Sequence, residues 1–292
     1  IAWHRLRAGM GDLEDYTAFF ETYGDFPGLP LMRRRGEARI PAGARPERVL
    51  AFFGTAPPQT GDGVLRLTAA LAALGRDEDA GAAAAAAWRT LTMDAAAEST
   101  LLAGFGPALA EHHVARMDHL LWEGALAAAE RQRPRVPEGW RRLHDARAAL
   151  RADRPGVDAL IDAVPAELSD HPGLAYERMA WRARRGREEG VIELMLAHSA
   201  RPETLGRPEA WASRRRIVAR SLMLDGDARR AYLIGSQNHL SEGAAFADLE
   251  WLSGYLALQR LDAPEAALAH FRKFRAGVSS PISLGRAGYW EG

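Results

Sequence analysis

The side chains with the most capacity for chemistry gather at Glu111, His112, His113, Asp118 and His119. His112 and His119 are seven positions apart and roughly share one face of a helix. Zinc chemistry, however, needs three or four convergent ligands, and neither zincin spacing nor any partner motif is present. These residues are therefore expected to be surface and interface histidines, with no metal. Ser236, His239 and Asp248 have the residue types of a nucleophilic triad, but nothing marks an elbow or an oxyanion hole around them. Gly61-Asp62-Gly63 stands before a helical pattern, yet the preceding strand and third glycine of a dinucleotide loop are missing. No catalytic residue and no cofactor is expected from these patterns.

Arginine forms the other dense groups, at 33–35, 131–135, 182–187, and at Arg214, Arg215 and Arg216 with Arg220. Such runs ordinarily make solvated faces or ion pairs between helices. Guanidinium forks on a concave face would instead hold carboxylates of an acidic polymer, so Arg214, Arg215, Arg216 and Arg220 are the candidate surface for a glycan or a partner. Lys273 is the only lysine. Its isolation is explained as easily by coding bias as by a need for forked donors.

Composition narrows the classes further. Lys and Arg number 38 and Asp and Glu number 38, so no net field draws in a polyanion and nucleic acid is not expected as a partner. The absence of cysteine removes disulfides, thiol catalysis and thiolate metal sites. No apolar run is long enough for a membrane span, and the opening IleAlaTrpHisArgLeuArg has no signal-peptide pattern, so the N-terminus reads as mature or trimmed.

The elements that must position these residues are helices throughout. Leu13, Tyr16, Phe19, Phe20 and Tyr23 recur at helical spacing, as do Leu67, Leu71 and Leu74. The segment 80–93 contains six consecutive alanines and Trp88, a helix able to approach a neighbour closely. GlyPheGlyPro at 104–107 is read as separating two helices within 95–133. In the helix expected over 244–261, Phe246, Leu249, Leu252 and Leu256 form one stripe and Trp251, Tyr255 and Leu258 a second, leaving Asp248, Glu250 and Gln259 as polar positions.

Recurrent turns join these helices: an apolar end, then Gly or Asp, an acidic residue and an alanine-rich start, at 74–80, 186–191, 225–231 and 262–267. Glycine suits the left-handed end of one helix and aspartate the cap of the next; Asp262 with Glu265 has the spacing of a capping box. Gly186 to Gly226 spans 40 positions and Asp225 to Asp262 spans 37, the size of a helical-hairpin repeat. Ala267, Phe271 and Pro281 are similar to the second half of a tetratricopeptide repeat, with the first half out of step. The expected fold is all-α: an α-solenoid or superhelix of stacked hairpins with degenerate, tetratricopeptide-like repeats, one domain over 1–292 with a possible subdivision near 134–140.

Several segments, in order along the chain, resemble the soluble lytic murein transglycosylases in the helical region that precedes their catalytic domain. These are TrpHisArgLeuArg at 3–7, AspPheProGlyLeu at 25–29, ArgMetAspHisLeuLeuTrpGluGly at 116–124, GlyLeuAlaTyrGluArgMetAlaTrpArg at 173–182, AlaTrpAlaSerArgArgArg at 210–216, and the stretch 229–290. The resemblance implies a periplasmic protein whose partners are peptidoglycan or other cell-wall components and its own C-terminal lysozyme-like domain. In that family one glutamate, first acid and then base, cleaves the MurNAc–GlcNAc bond with a 1,6-anhydro product, unlike the paired carboxylates of most glycosidases. Glu98-Ser99 is the only Glu-Ser pair here, it lies early in the chain, and the family's Gly-Leu-Met-Gln and Ala-Tyr-Asn-Ala-Gly segments do not follow it. The expectation is a noncatalytic portion of such an enzyme, with Tyr289 and Trp290 as candidates for a seam with the catalytic part. A stand-alone helical-repeat adaptor for a protein or peptide is the alternative.

Overall fold

The computed structural model describes residues 2–292, and every regular element among them is a helix. None of these helices is long and apolar enough to cross a membrane. The chain divides into two compact units, the first ending at His144 and the second beginning at Asp145.

The first unit contains α1 (Ala2–Arg7), α2 (Leu13–Thr22), α3 (Leu29–Glu37), α4 (Pro46–Phe53), α5 (Gly61–Ala73), α6 (Asp77–Thr90), α7 (Ala95–Leu109), α8 (His113–Glu123), α9 (Leu126–Gln132) and the start of α10 (Glu138–Arg151). Leu13, Tyr16, Phe19 and Phe20 are buried with Leu6, Met32, Phe52 and Phe53, and the Tyr16 hydroxyl donates to the Leu6 carbonyl at 2.7 Å. Tyr23 falls off this stripe because it is the C-cap residue, where the backbone leaves the helix. A Cβ on Gly36 would stand 2.6 Å from the Phe52 ring, so the missing side chain is what admits that ring against α3. The alanine run behaves as its size dictates: Ala80 and Ala84 are fully buried, and Ala84, Ala87 and Trp88 pack with Val64, Leu101 and Leu109.

Residues 104–107 separate two helical segments, as expected: Phe105 takes the non-helical φ −129° and ψ 18° ahead of Pro107, and α7 is two helices meeting at that kink. The proline has no N–H to give the ladder and crowds the preceding turn. Gly124, at φ 70°, closes α8.

The second unit holds the end of α10, α11 (Val157–Asp162), α12 (Ala166–Ser169), α13 (Pro172–Arg184), α14 (Glu188–His198), α15 (Pro202–Leu205), α16 (Pro208–Leu224), α17 (Ala228–Ser236), α18 (Gly243–Arg260), α19 (Pro264–Ala276) and α20 (Pro281–Glu291). From α16 onward each helix packs on the next, and α16 also meets α18. Their core joins Met179, Met195, Trp211, Ile234, Leu249, Leu252 and Leu256. Gly186 and Gly226 adopt the left-handed backbone expected of them, and Asp227 caps α17 by accepting from the Arg230 N–H at 3.0 Å.

Two expectations are corrected here. Asp262 does not cap α19, whose N-cap is Ala263 with no side-chain hydrogen bond; Asp262 itself takes the left-handed conformation, φ 51°. It occupies the place that glycine fills in the sister turns, which aspartate tolerates better than most residues. Glu250 is buried rather than polar-facing, because Asn238 and His270 supply its hydrogen bonds at 2.8 Å and 2.7 Å.

Candidate functional site

The four arginines of α16 do not form one surface. Trp211, Arg215, Ala219 and Leu222 lie on a single helical face, and all four are buried. Arg215 therefore belongs to the interior and not to a glycan- or partner-facing surface. Its guanidinium donates to the Ile234 carbonyl and the Ser199 hydroxyl, each at 2.7 Å. Burial pulls its pKa down to about 10, which still leaves it charged at neutral pH. Arg216 and Arg220 both clasp Asp248 of α18 at 2.5 Å. Burial works to raise the Asp248 carboxyl, but Arg220 and Arg216 together hold it below the usual carboxylate range. Each guanidinium gives one nitrogen to Asp248 and stays about two-fifths exposed, so its other N–H groups face solvent. Arg214 alone has no hydrogen-bond or ion-pair partner among the described residues.

The seam candidates also separate. Tyr289 is 78% exposed. Trp290 turns onto its own unit, stacked on Phe271 with ring centroids 5.5 Å apart and set edge-on to Trp251 and Tyr255. Trp251 and Tyr255 stack on each other at 5.6 Å, the packing role expected of them.

A polar cleft of about 600 Å³ opens in the first unit, which sequence spacing gives no sign of. The start of α5 supplies Gln59, Thr60 and Asp62, the α6–α7 connection supplies Thr92 and Asp94, and Arg34, His119 and Glu123 come from α3 and α8. Thr60 and Asp94 are the N-caps of α5 and α7, accepting from the Gly63 and Ala97 N–H groups at 2.9 Å and 2.8 Å. The caps fix both loops, so the remaining amide, hydroxyl and carboxylate groups are presented by rigid backbone. Such a lining suits a hydroxyl-rich, uncharged ligand better than a polyanion, because the carboxylates outnumber Arg34.

Beneath the cleft lies Glu37, almost wholly buried, accepting from the Gln59 N–H at 2.7 Å and the Thr60 hydroxyl at 2.5 Å. Burial raises its pKa, against the opposing pull of Thr60, Gln59 and Arg34. With both oxygens engaged it holds the loop, and does not face a ligand. A carboxyl whose folded pKa is raised keeps its proton where the unfolded chain has lost it, so its contribution falls as pH rises from the ordinary carboxylate value through the raised one. Urea midpoints measured across mildly acidic to neutral pH should fall more steeply for the native chain than for Glu37→Gln. Parallel curves would show that Glu37 does not retain its proton.

The remaining candidates are structural in placement. His113 Nδ1 accepts from the Trp88 indole at 3.3 Å, and its pKa is lowered by burial and by Arg135, Arg116 and His112. His112 sits beside Glu111 and Arg89. No group of three or more potential metal ligands occurs among the described residues. Glu98 is buried between Arg116 and Arg131, each at 2.6 Å. Ser236, His239 and Asp248 are not brought together: His239 contacts the Ser199 carbonyl at 2.8 Å, and Asp248 is held by the arginines.

Sequence reasoning missed a different line, in which His270 lies between the Tyr232 hydroxyl at 3.2 Å and Glu250 at 2.7 Å. Its hydroxyl–imidazole–carboxylate order is that of a nucleophilic relay, but Tyr232 has its pKa raised, chiefly by burial and also by Glu250. Activating a phenol requires the opposite shift. The line is an internal brace between α17, α18 and α19.

No protein-family model, curated protein or solved structure matches this chain.

Proposed function

We propose that this chain is the noncatalytic helical region of a periplasmic peptidoglycan lytic transglycosylase, an α-superhelix of stacked, degenerate tetratricopeptide-like hairpins that holds glycan strands for a lysozyme-like domain. The observation carrying this reading is where the family-like segments fall in the fold. In chain order four of the six carry buried polar or charged residues, Arg116, Glu177, Arg215, and then Glu250 with His270, while Glu37, Glu98 and Arg147 lie outside them. Burying such groups is costly unless their partners are in place, so a resemblance that includes them bears on architecture as well as composition. The succession of helices packed on their sequence neighbours supports the hairpin stack. The polar cleft of the first unit supports a glycan as ligand.

Co-sedimentation with purified peptidoglycan sacculi tests the reading. The chain is expected to pellet with sacculi and to release no anhydro-muropeptides. Replacing Gln59 and Asp62 together by alanine removes two ligand-facing polar groups and should weaken binding by roughly tenfold, from about 1 kcal/mol or less per lost hydrogen bond. Unchanged pelleting of that variant would move the glycan site elsewhere, and anhydro-product release would reveal an active centre within these residues. An adaptor function remains the second reading, favoured by the outward-facing Ile217 and Leu224 of α16. One stoichiometric protein partner without sacculus binding would decide for it.

A further inference from the structure

Where α13 ends and α14 begins, against the outer face of α16, lies a cavity of about 100 Å³ with an apolar floor of Val191, Ile192, Val218 and Leu222. Ile217 stands at its rim, 54% exposed. An apolar cavity of roughly 150 Å³ takes up benzene, so this smaller space suits one aliphatic side chain better than a sugar ring.

The charges around the floor are ordered. Arg214, Val218, Leu222 and Asp225 follow one another along α16 at positions i, i+4, i+8 and i+11, all lining the cavity. The stripe carries a cation at one end and a carboxylate at the other, about 16 Å apart at the helical rise. Glu188 lines the same space. Each neighbouring arginine has partners within the unit, Arg215 in Ser199 and Ile234 and Arg216 and Arg220 in Asp248. Arg214, half-buried beside the apolar floor, has no hydrogen-bond or ion-pair partner among the described residues. A guanidinium next to an apolar socket is complementary to a carboxylate held beside an aliphatic side chain. Asp225 and Glu188 disfavour a polyanion and favour a ligand that is acidic at one end and basic at the other.

We propose that this groove binds a short peptide segment of a partner protein, which seats a Leu, Ile, Val or Met side chain on the floor and pairs an adjacent Asp or Glu with Arg214. A basic residue four or five positions away, at the extended rise per residue, reaches Asp225. The proposal stands apart from the glycan-holding role: loss of sacculus binding in the Gln59 and Asp62 variant leaves it intact, because those residues belong to the other unit.

The test is selection of a displayed random 12-residue peptide library on the whole chain, followed by calorimetry with the synthetic consensus peptide. The expected consensus has an acidic residue beside an aliphatic anchor. Arg214→Glu should lower affinity at least tenfold and regain it when the acidic residue of the peptide is changed to lysine. Ile217→Asp should remove binding, while Ile282→Asp, on an exposed side chain of α20 outside the cavity, should not change it. The proposal is overturned if no such consensus emerges, or if Arg214→Glu and Ile217→Asp bind the peptide as the native chain does. It is equally overturned if a soluble chito-oligosaccharide displaces the peptide competitively, or if sedimentation shows a dimer of this chain that Ile217→Asp dissolves, which would give the groove to a second copy.

Discussion

Glu98→Ala is expected to cost the first unit about 3–5 kcal/mol, the range found when one partner of a buried ion pair is removed. Glu98 receives Arg116 Nη2 and Arg131 Nε, each at 2.6 Å. The two arginines respond differently to its loss. Arg131 is more than one-third exposed and can turn to water, whereas Arg116 has no exposed surface. Arg116 would retain the Trp88 and Leu91 carbonyls and its position 3.9 Å over the Trp88 ring, but no counter-charge. Burial already lowers the Arg116 pKa, and Glu98 is the main influence opposing that. Urea unfolding of the variant, with amide exchange followed at Trp88 and Leu91, measures the cost. A double replacement by methionine at 98 and 116 should be more stable than Glu98→Ala, since an apolar pair leaves no stranded charge. A loss below about 1 kcal/mol would remove Glu98 from its role as an anchor and reopen the Glu98-Ser99 pair as a site.

The brace of the second unit should respond nearly as strongly. Glu250→Ala leaves one N–H of the Asn238 amide and the His270 Nδ1 without a partner, at about 1–3 kcal/mol each, while the Gly235 carbonyl and the Tyr232 hydroxyl still hold the other ends of the two groups. The damage spreads along the chain because Asn238 also accepts from the Leu240 N–H at 2.9 Å, which fixes the α17–α18 connection. Glu250→Gln retains one carbonyl for Asn238 and offers an N–H₂ to the imidazole, so it should cost distinctly less than alanine. The urea midpoints of the two variants check the order, and the Asn238 side-chain amide signals should sharpen toward free exchange only in Glu250→Ala. Equal losses in both variants would show that volume, not hydrogen bonding, sets the effect.

Helical class and turn positions were readable because each depends on local chemistry. The period of Leu13, Tyr16, Phe19 and Phe20, and the left-handed need at Gly186 and Gly226, are visible within one or two helical turns. The buried arginines were half-readable: Arg215 falls on the Trp211, Ala219 and Leu222 face, so following that stripe through the charge predicts its burial. What could not be read locally was which acid meets which base. Glu98 finds partners 18 and 33 positions away, and Glu250 finds His270 20 positions away, on helices whose approach depends on the packing of the whole unit. The cleft is harder still, since Arg34, Asp62, Thr92 and His119 come from separate elements and no one segment carries its chemistry.

Only Ala287 of α20 is buried, so the helix is fastened by few contacts. They are the Trp290 ring lodged among Trp251, Tyr255 and Phe271, the Arg286 guanidinium 3.8 Å from the Trp251 ring centroid, and the Arg275–Glu291 pair at 2.8 Å. The free energy of detaching the helix is therefore concentrated at its last turns. Whatever draws Trp290 out removes the one ring that joins Phe271 to the Trp251–Tyr255 stack, so a single side chain acts as the rivet of the joint.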